Sequence, residues 1–192
     1  MEGTKFRPCL WWEKIITPED KPIKYLEIGV HYGMNLWEIS NTYCKHEDTE
    51  IHAIDPWIDY GEYNEYVGKQ DVIYTQFLKN LENNPQSVRD KIKIHRGFSR
   101  DVIPTLDDDM FDIIFVDGNH EAEWALEDAV LAWRKLKPGG WMILDDYGPD
   151  PINPTIGLGA FASGYRNVLD INKCGIHDGQ MFLKKKMNIY DQ

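Results

Sequence analysis

The chain has 192 residues and a formal net charge of −11, and it is long enough to bury the core of one domain. Its hydrophobic fraction of 42% and aromatic fraction of 12% are typical of a folded globular protein rather than a disordered one. The acidic balance argues against a nucleic-acid-binding surface, which needs clustered lysines and arginines. We therefore expect a single globular domain, residues 1–192, that does not bind nucleic acid.

Cysteine usage and apolar runs bear on the compartment. The three cysteines, Cys9, Cys44 and Cys174, are scattered and form no Cys-x-x-Cys motif, which favours a reducing compartment over a disulfide framework or a zinc site. The N-terminus lacks the apolar core of a secretory signal, and no apolar run approaches the roughly 20 residues that span a bilayer. We therefore expect a cytoplasmic protein that does not enter the membrane.

The N-terminal part, residues 1–22, is predicted to be an irregular extension with a short helix near residues 10–16. Its adjacent Trp11 and Trp12 have two interpretations. They cover the edge of the core, as large aromatic side chains commonly do, or they form an aromatic wall over a substrate.

A buried strand at residues 25–30 is followed by a turn that contains Gly29 and Gly33 and then by a helix at residues 35–44. Glycines suit a backbone that bends sharply and lets a ligand approach closely. The order of strand, glycine-containing turn and helix is typical of the nucleotide-binding opening of a doubly wound sheet. We therefore expect a cofactor to bind at this turn.

The second strand, residues 50–55, ends in Asp55. An acid at the tip of this strand can accept hydrogen bonds from ribose hydroxyls, and its alternative role is that of a helix N-cap or turn residue before Pro56.

The aromatic and acidic segment at residues 57–70 is interpreted either as a substrate loop or as packing. Apolar spacing predicts a helix at residues 71–82.

The third strand, residues 91–95, alternates charged and apolar residues, which is typical of an edge strand. The turn after it contains Gly97, Phe98 and Ser99. Ser99 is predicted to cap a short helix that ends near Leu106. Because this turn lies at the ligand-binding edge of the sheet, Phe98 and Ser99 are candidates to contact an adenine.

The rest of the chain continues the alternation of strands and helices. Residues 111–116 are apolar after Asp112, as in a strand buried on both faces, and the sequence Lys137-Pro138-Gly139-Gly140 is predicted to end the helix that follows. The remaining predicted elements are a helix at residues 121–136, a strand at 141–144, a short helix at 155–163 and an antiparallel hairpin of strands at 167–172 and 179–184.

This alternation predicts a mostly parallel α/β sheet with ligands at the carboxyl ends of its strands. Five polar residues fall at such ends: Asp55, Ser99, Asp117, Asp145 and Asp146. Three carboxylates with open positions suit a hard, oxygen-preferring ion, with Mg²⁺ as the first choice and Mn²⁺ or Ca²⁺ as substitutes. Neighbours within a strand point to opposite faces, so the two adjacent aspartates can share one ion only where the strand ends and the chain turns. Otherwise they cap that turn.

Several motifs occur together in the order Glu27-x-Gly29-x-x-x-Gly33, Asp55, Gly97-Phe98-Ser99 and Lys137-Pro138-Gly139-Gly140-Trp141. With these motifs the chain resembles class I S-adenosylmethionine-dependent methyltransferases over most of its length. The resemblance implies a Rossmann-like, doubly wound sheet of seven mostly parallel strands with a C-terminal antiparallel hairpin. It also implies S-adenosylmethionine as the cofactor.

Within this class, the metal-dependent O-methyltransferases match best. The sequence Leu144-Asp145-Asp146-Tyr147-Gly148 is similar to the end of the fifth strand in macrocin, mycinamicin and aminocoumarin sugar O-methyltransferases. This similarity implies a Mg²⁺ site, with Mn²⁺ as a substitute, at Asp117, Asp145 and Asp146. Some of these enzymes use an acidic base where this chain has Asn119, and others use a histidine where it has His120. The resemblance therefore implies His120 as the general base.

The resemblance also implies how the cofactor is held. Backbone groups from Gly29 to Gly33 and the Asn35 side chain would hold the methionine part, Asp55 the ribose, and Phe98 with Ser99 the adenine. Asp117 would lie where cofactor and metal meet. The residues assigned to the cofactor are Glu27, Gly29, His31, Gly33, Asn35, Asp55, Gly97, Phe98, Ser99 and Asp117.

The activity implied is methyl transfer to a hydroxyl of a sugar or glycoside, with a small molecule or a glycan as the acceptor. Three alternatives stay open: a catechol- or phenol-type O-methyltransferase with the same metal, a cofactor-binding protein without catalysis, and an NAD-dependent oxidoreductase. Glu27 and the missing third glycine disfavour the last of these. The chain shows little obvious lid, so we also expect that a neighbouring subunit of a homo-oligomer could supply one.

Overall fold

The computed structural model describes residues 8–59, 66–148 and 154–187. The chain divides into two compact units, Met1–Phe98 and Ser99–Gln192, and each is described by itself below. Among the described residues, no helix combines the length and the apolar character needed to cross a membrane.

The first unit contains three parallel strands. β1 (Lys24–Ile28) pairs with β2 (Glu50–Asp55), and β2 pairs with β3 (Ile92–Arg96). β1 and β2 are largely buried, whereas residues of partial burial and exposure alternate along β3. The elements of this unit are a 3-10 helix at Pro8–Lys14, β1 at Lys24–Ile28, α1 at Met34–Asn41, β2 at Glu50–Asp55, α2 at Gln70–Glu82, α3 at Gln86–Arg89 and β3 at Ile92–Arg96.

Aromatic side chains fill much of the core of the first unit. Trp12 is fully buried, whereas 47% of the surface of Trp11 is exposed, so Trp12 covers the core and Trp11 does not. Trp57 is also buried, with its ring centroid 4.8 Å from that of Phe77. The described start of the predicted substrate loop therefore packs in the core, and residues 60–65 of that loop lie outside the described residues.

The second unit combines parallel and antiparallel strands. β4 (Phe111–Val116) pairs in parallel with β5 (Leu136–Leu144). β7 (Gln180–Lys184) pairs antiparallel with both β5 and β6 (Gly175–His177). Its longest helix, α5, buries a face that carries Ala125, Ala129 and Ala132, and these small side chains permit close packing. The elements are α4 at Ser99–Val102, a 3-10 helix at Ile103–Thr105, β4 at Phe111–Val116, α5 at Ala122–Lys135, β5 at Leu136–Leu144, α6 at Thr155–Gly164, a 3-10 helix at Arg166–Val168, β6 at Gly175–His177 and β7 at Gln180–Lys184.

The seven strands follow the order β3-β2-β1-β4-β5-β7-β6. This is a parallel sheet that ends in antiparallel C-terminal strands, with β3 at one edge. The predicted Rossmann-like architecture is therefore confirmed. It places residues that follow β1 to β5 at the carboxyl ends of parallel strands, where α/β proteins bind ligands.

The predicted position of the first hairpin strand is wrong. Residues 167–172 do not form a strand, because Arg166–Val168 is a 3-10 helix and Leu169 makes only an isolated bridge to Lys185. The strand that pairs with β7 is β6, and His177 lies opposite Gln180. The intervening Asp178 and Gly179 both have positive φ angles, 48° and 79°, as a tight two-residue hairpin turn requires. The Asp-Gly pair therefore fixes the register of this hairpin.

The predicted start of the fifth strand is also wrong. β5 begins at Leu136 instead of Trp141, so helix α5 passes directly into extended backbone. Leu136 pairs with Phe111, and the register then shifts before Ile113. The segment that contains Gly139 and Gly140 joins the sheet through backbone hydrogen bonds. The Gly140 carbonyl accepts the Lys185 N–H, and the Gly139 N–H donates to the Lys185 carbonyl.

Two glycines of α6 give a matched test of how closely α6 packs against α5. A Cβ atom at Gly157 would overlap the carbonyl oxygen of Ala122 on α5, whereas one at Gly159 would meet Tyr147 at 3.6 Å, an ordinary contact. We expect Gly157→Ala to lower the free energy of unfolding by roughly 1–3 kcal/mol. Gly159→Ala should raise it by about 0.5–1 kcal/mol, because alanine favours helix. Urea unfolding of both variants measures the difference, and equal effects would contradict the close approach of the two helices.

Candidate functional site

The turn after β1 has an unusual backbone. Gly29, His31 and Gly33 all have positive φ angles, 86°, 51° and 77°. The Gly33 N–H donates to the Val30 carbonyl at 2.8 Å, which closes the turn before α1. A positive φ costs energy in a residue with a Cβ, so His31 is held in a strained conformation by its surroundings.

Asp55 supplies part of the restraint on His31. One oxygen of its carboxylate accepts the backbone N–H of His31 at 2.8 Å, and the other accepts that of Trp57 at 2.8 Å. Burial raises the pKa of Asp55, and these hydrogen bonds oppose the rise. The predicted turn role is therefore observed. Each carboxylate oxygen has a second lone pair, so Asp55 can also accept hydrogen bonds from a ligand's hydroxyls.

His31 also lies among aromatic groups. Its ring centroid is 4.3 Å from that of Tyr32 and 5.3 Å from that of Tyr66, and burial lowers its pKa. Its Nε2 atom is buried and has no hydrogen-bond partner among the described residues. The carbonyl of His31 accepts the indole N–H of Trp57 at 2.9 Å, which further ties the turn to the segment after β2.

Glu27 and Asn35 belong to one buried network. The Asn35 amide donates to the Glu27 carboxylate at 2.9 Å, and the Tyr25 hydroxyl donates to the same oxygen at 2.6 Å. The amide oxygen of Asn35 accepts the backbone N–H of Cys9 at 3.0 Å. Sequence reasoning assigned Asn35 to the cofactor, and the structure gives it a second function: it fastens the N-terminal 3-10 helix to the glycine turn.

The turn after β3 ends the first unit. The Gly97 N–H donates to the Asp55 carbonyl at 3.1 Å, which keeps this turn beside the end of β2, and Phe98 is half-buried. In the second unit, Ser99 begins α4 and hydrogen-bonds to the buried carboxyl of Asp128. Burial raises the pKa of Asp128 to about 7, against the lowering effect of Ser99.

Sequence reasoning missed Asp128, although a signal was present. Asp128 lies on α5 three residues after Ala125 and four before Ala132, so it shares the face whose small residues predict burial. An acid on such a face needs a buried hydrogen-bond partner. Ser99 meets that need.

The second unit brings three predicted site residues together. Asp117 follows β4, His120 precedes α5 and Asp146 follows β5, and one ligand atom from each lies within 4.8 Å of the others. The His120 Nε2 atom is 2.6 Å from Asp146 Oδ2. Asp146 has a φ of 55°, so the chain turns where the strand ends, as the sharing of an ion requires.

Asp145 does not join this cluster, although it was predicted as a ligand with Asp146. Its side chain is buried, and one oxygen accepts the Gln180 side-chain N–H at 3.1 Å. The other oxygen, Oδ2, is buried without a hydrogen-bond partner among the described residues. Burial, and then the nearby charge of Asp146, raise the pKa of Asp145 to about 6. Gln180, on β7, gave no signal in the sequence.

Asn119 has a structural role in the same segment. Its side-chain oxygen accepts the N–H of Glu121 at 2.7 Å, so it forms a local turn just before α5 begins. A side-chain oxygen that accepts the N–H two residues later is typical of asparagine in turns. Asn119 thereby sets the conformation of the segment that carries His120.

The donor set suits a divalent cation. Asp117 and Asp146 offer hard carboxylate oxygens, and His120 offers an imidazole nitrogen. The unpartnered Oδ2 of Asp145 is a further buried oxygen beside Asp146, and a nearby positive charge would offset the burial of its negative form. Carboxylate oxygens favour Mg²⁺ or Mn²⁺, so either ion fits Asp117 and Asp146, and the imidazole of His120 can stay free of the ion.

The sequence places the chain in a family. A methyltransferase-domain family model matches residues 26–147, a segment that runs from within β1 to just past the end of β5 and includes the cluster of Asp117, His120 and Asp146. The match spans more than half of the chain, which therefore belongs to this family of methyltransferase domains. No curated protein sequence matches the chain.

Solved structures share the fold at low sequence identity. The methyltransferase PaMTH1 of Podospora anserina, bound to S-adenosylhomocysteine, is 18% identical with a TM-score of 0.59, over 86% of this chain and 72% of that one. The O-methyltransferase TomG of Streptomyces achromogenes, involved in tomaymycin synthesis, is 17% identical with a TM-score of 0.59, over 86% and 73%. A methyltransferase from Aquifex aeolicus is 15% identical with a TM-score of 0.58, over 94% and 90%.

The buried acid beneath Ser99 predicts a dependence of stability on pH. The pKa of Asp128 is raised from 3.8 to about 7 in the folded protein, so between these values the folded state binds more protons than the unfolded chain. The free energy of unfolding should therefore fall as pH rises through this window, on the order of 1–3 kcal/mol. The Asp128→Asn variant has no charge to bury at this position, so its free energy of unfolding should not show this fall with rising pH.

Urea unfolding at about pH 5 and about pH 8 measures the effect. Glu123→Gln, which removes an exposed acid from the same helix, is the control and should keep the pH dependence of the original protein. If Asp128→Asn keeps it as well, Asp128 is not the group responsible.

Proposed function

We propose that the chain is an S-adenosylmethionine-dependent O-methyltransferase that acts on a hydroxyl of a sugar or glycoside. A divalent cation, Mg²⁺ or Mn²⁺, would be held by Asp117 and Asp146, and His120 would be the general base. The observation that carries this proposal is the convergence of Asp117, His120 and Asp146 at the ends of β4 and β5.

The methyl donor is proposed on two grounds. Membership of a methyltransferase family supports methyl transfer, and PaMTH1 and TomG, which share the fold, were solved with S-adenosylhomocysteine and S-adenosylmethionine. In this chain, the glycine turn would approach the methionine part and Asp55 would accept hydrogen bonds from the ribose. Phe98 and Ser99 would contact the adenine. The acidic surroundings also suit a sulfonium, which carries positive charge.

The cation would act on the acceptor. It would supply the positive charge that favours loss of a proton from an acceptor hydroxyl and would fix where that hydroxyl lies. Asp117 and Asp146 are the proposed ligands. Asp145 lies outside the cluster, where Gln180 bonds to one of its oxygens, and its buried carboxyl group would add negative charge beside the ion.

The base is proposed because a sugar hydroxyl is far less acidic than a catechol. His120 lies in the cluster, and an imidazole is the side chain that most often serves as a general base. Its contact with Asp146 at 2.6 Å would orient the imidazole, and the Asn119 turn would hold the backbone that carries it. Activity with aromatic diols and none with glycosides would instead support the catechol-type alternative.

Asp146 gives the test of the metal. We expect Asp146→Ala, which removes the ligand oxygen, to abolish methyl transfer and to leave the affinity for S-adenosylhomocysteine, measured by calorimetry, nearly unchanged. Asp178→Ala is a matched control, since Asp178 also has a positive φ and pairs with a histidine. Chelator should abolish the activity of the original protein, and turnover that persists in chelator would refute the metal site.

His120 gives the test of the base. His120→Ala should lower the rate at neutral pH by about 10²-fold or more. His177→Ala removes another histidine that is paired with an aspartate and should leave the rate unchanged. An unchanged rate in His120→Ala would exclude His120 as the base.

A further inference from the structure

Trp124 is an exposed aromatic side chain in the first turn of α5. It keeps 37% of its surface exposed, and two polar neighbours hold it. The indole N–H donates to the Glu121 carboxylate at 3.0 Å, and the Arg100 guanidinium lies 5.5 Å from the ring centroid. Packing alone does not hold an exposed tryptophan in one orientation. These two contacts therefore hold the indole ring in place as an exposed aromatic surface.

The orientation of Trp124 brings it towards the proposed active site. Side chains on a helix point back towards its N-terminus, and the hydrogen bond to Glu121 shows that the indole does so. Glu121 directly follows His120. The indole is therefore bonded to the residue that directly follows His120, a member of the cluster with Asp117 and Asp146.

The first turn of α6 lies beside that of α5. Gly157 approaches Ala122 so closely that it leaves no room for a Cβ atom. Its neighbour Ile156 has 53% of its surface exposed. The preceding Thr155 bonds through its hydroxyl to the Gly148 N–H at 3.1 Å, and it lies 3.4 Å from the Asp146 carbonyl. The two helix starts thus put apolar surface next to the proposed catalytic residues.

We propose that Trp124 is the platform on which the sugar ring of the acceptor stacks, with Glu121 and Arg100 as hydrogen-bonding partners for its hydroxyls. This rests on the function proposed above and specifies the acceptor site. The C–H groups on one face of a pyranose carry partial positive charge and pack against the negative face of an indole. The Glu121 carboxylate at the indole N–H and the Arg100 guanidinium over the ring match the hydroxyl groups of a saturated ring, because they supply an acceptor and several donors.

The test measures binding directly. Saturation-transfer NMR would use methyl glucopyranoside, methyl galactopyranoside and methyl rhamnopyranoside, with the cofactor product and Mg²⁺ present. At least one glycoside should show transfer to its ring C–H protons with the original protein. Trp124→Ala should reduce that signal at least fivefold, whereas Trp124→Phe should keep most of it, because phenylalanine retains an aromatic face. Trp11→Ala, which removes another exposed tryptophan, is the control and should change nothing.

Two outcomes overturn the platform: no transfer to any glycoside with the original protein, or an equal signal in Trp124→Ala. A failure of the proposed function would give a different experimental result. If glycosides bind through Trp124 but no methyl group reaches them, the platform stands and the methyl-transfer proposal falls. Where methyl transfer does occur, Trp124→Ala should raise the KM for the glycoside about tenfold and leave the KM for S-adenosylmethionine unchanged.

Discussion

Electrostatic repulsion between neighbouring carboxylates is the constraint on which the second unit depends. Asp145 and Asp146 are adjacent at the end of β5, and the chain separates them by turning at Asp146, whose φ is 55°. Asp145 is directed into the protein, where burial and the charge of Asp146 raise its pKa to about 6. Asp146 is directed outwards to His120. Folding thus places two acids where their negative forms are costly without a positive charge nearby.

In the first unit, the carboxylates of Asp55 and Glu27 receive hydrogen bonds from neighbouring groups of the protein. Asp55 accepts two backbone N–H groups, and one oxygen of Glu27 accepts hydrogen bonds from Tyr25 and Asn35. These carboxylates shape the turn after β1 instead of attracting a cation. In the second unit, by contrast, an oxygen of Asp145 has no hydrogen-bond partner among the described residues. This difference is the physical reason for proposing a cation in the second unit and an organic cofactor in the first.

The helix starts of the second unit connect the proposed chemistry with the proposed acceptor. Asn119 forms the turn that leads into α5, and the same turn carries His120. One turn later, Trp124 lies against Glu121. A short stretch of chain therefore holds a proton acceptor and an aromatic surface in a fixed relation. Rigid placement of this kind lowers the entropy cost of holding a substrate for reaction.

The sequence by itself determined the alternation of strands and helices, the sheet type and the positions of acids at strand ends, because periodicity and turn residues act locally. Tertiary structure alone decided which acids share a site. Asp145 turned away from the cluster because Gln180, 35 residues away in the chain, bonds to it. Asp128 became the partner of Ser99. Both pairings join segments that are distant in the chain, so a local pattern can show that an acid is buried but does not specify its partner.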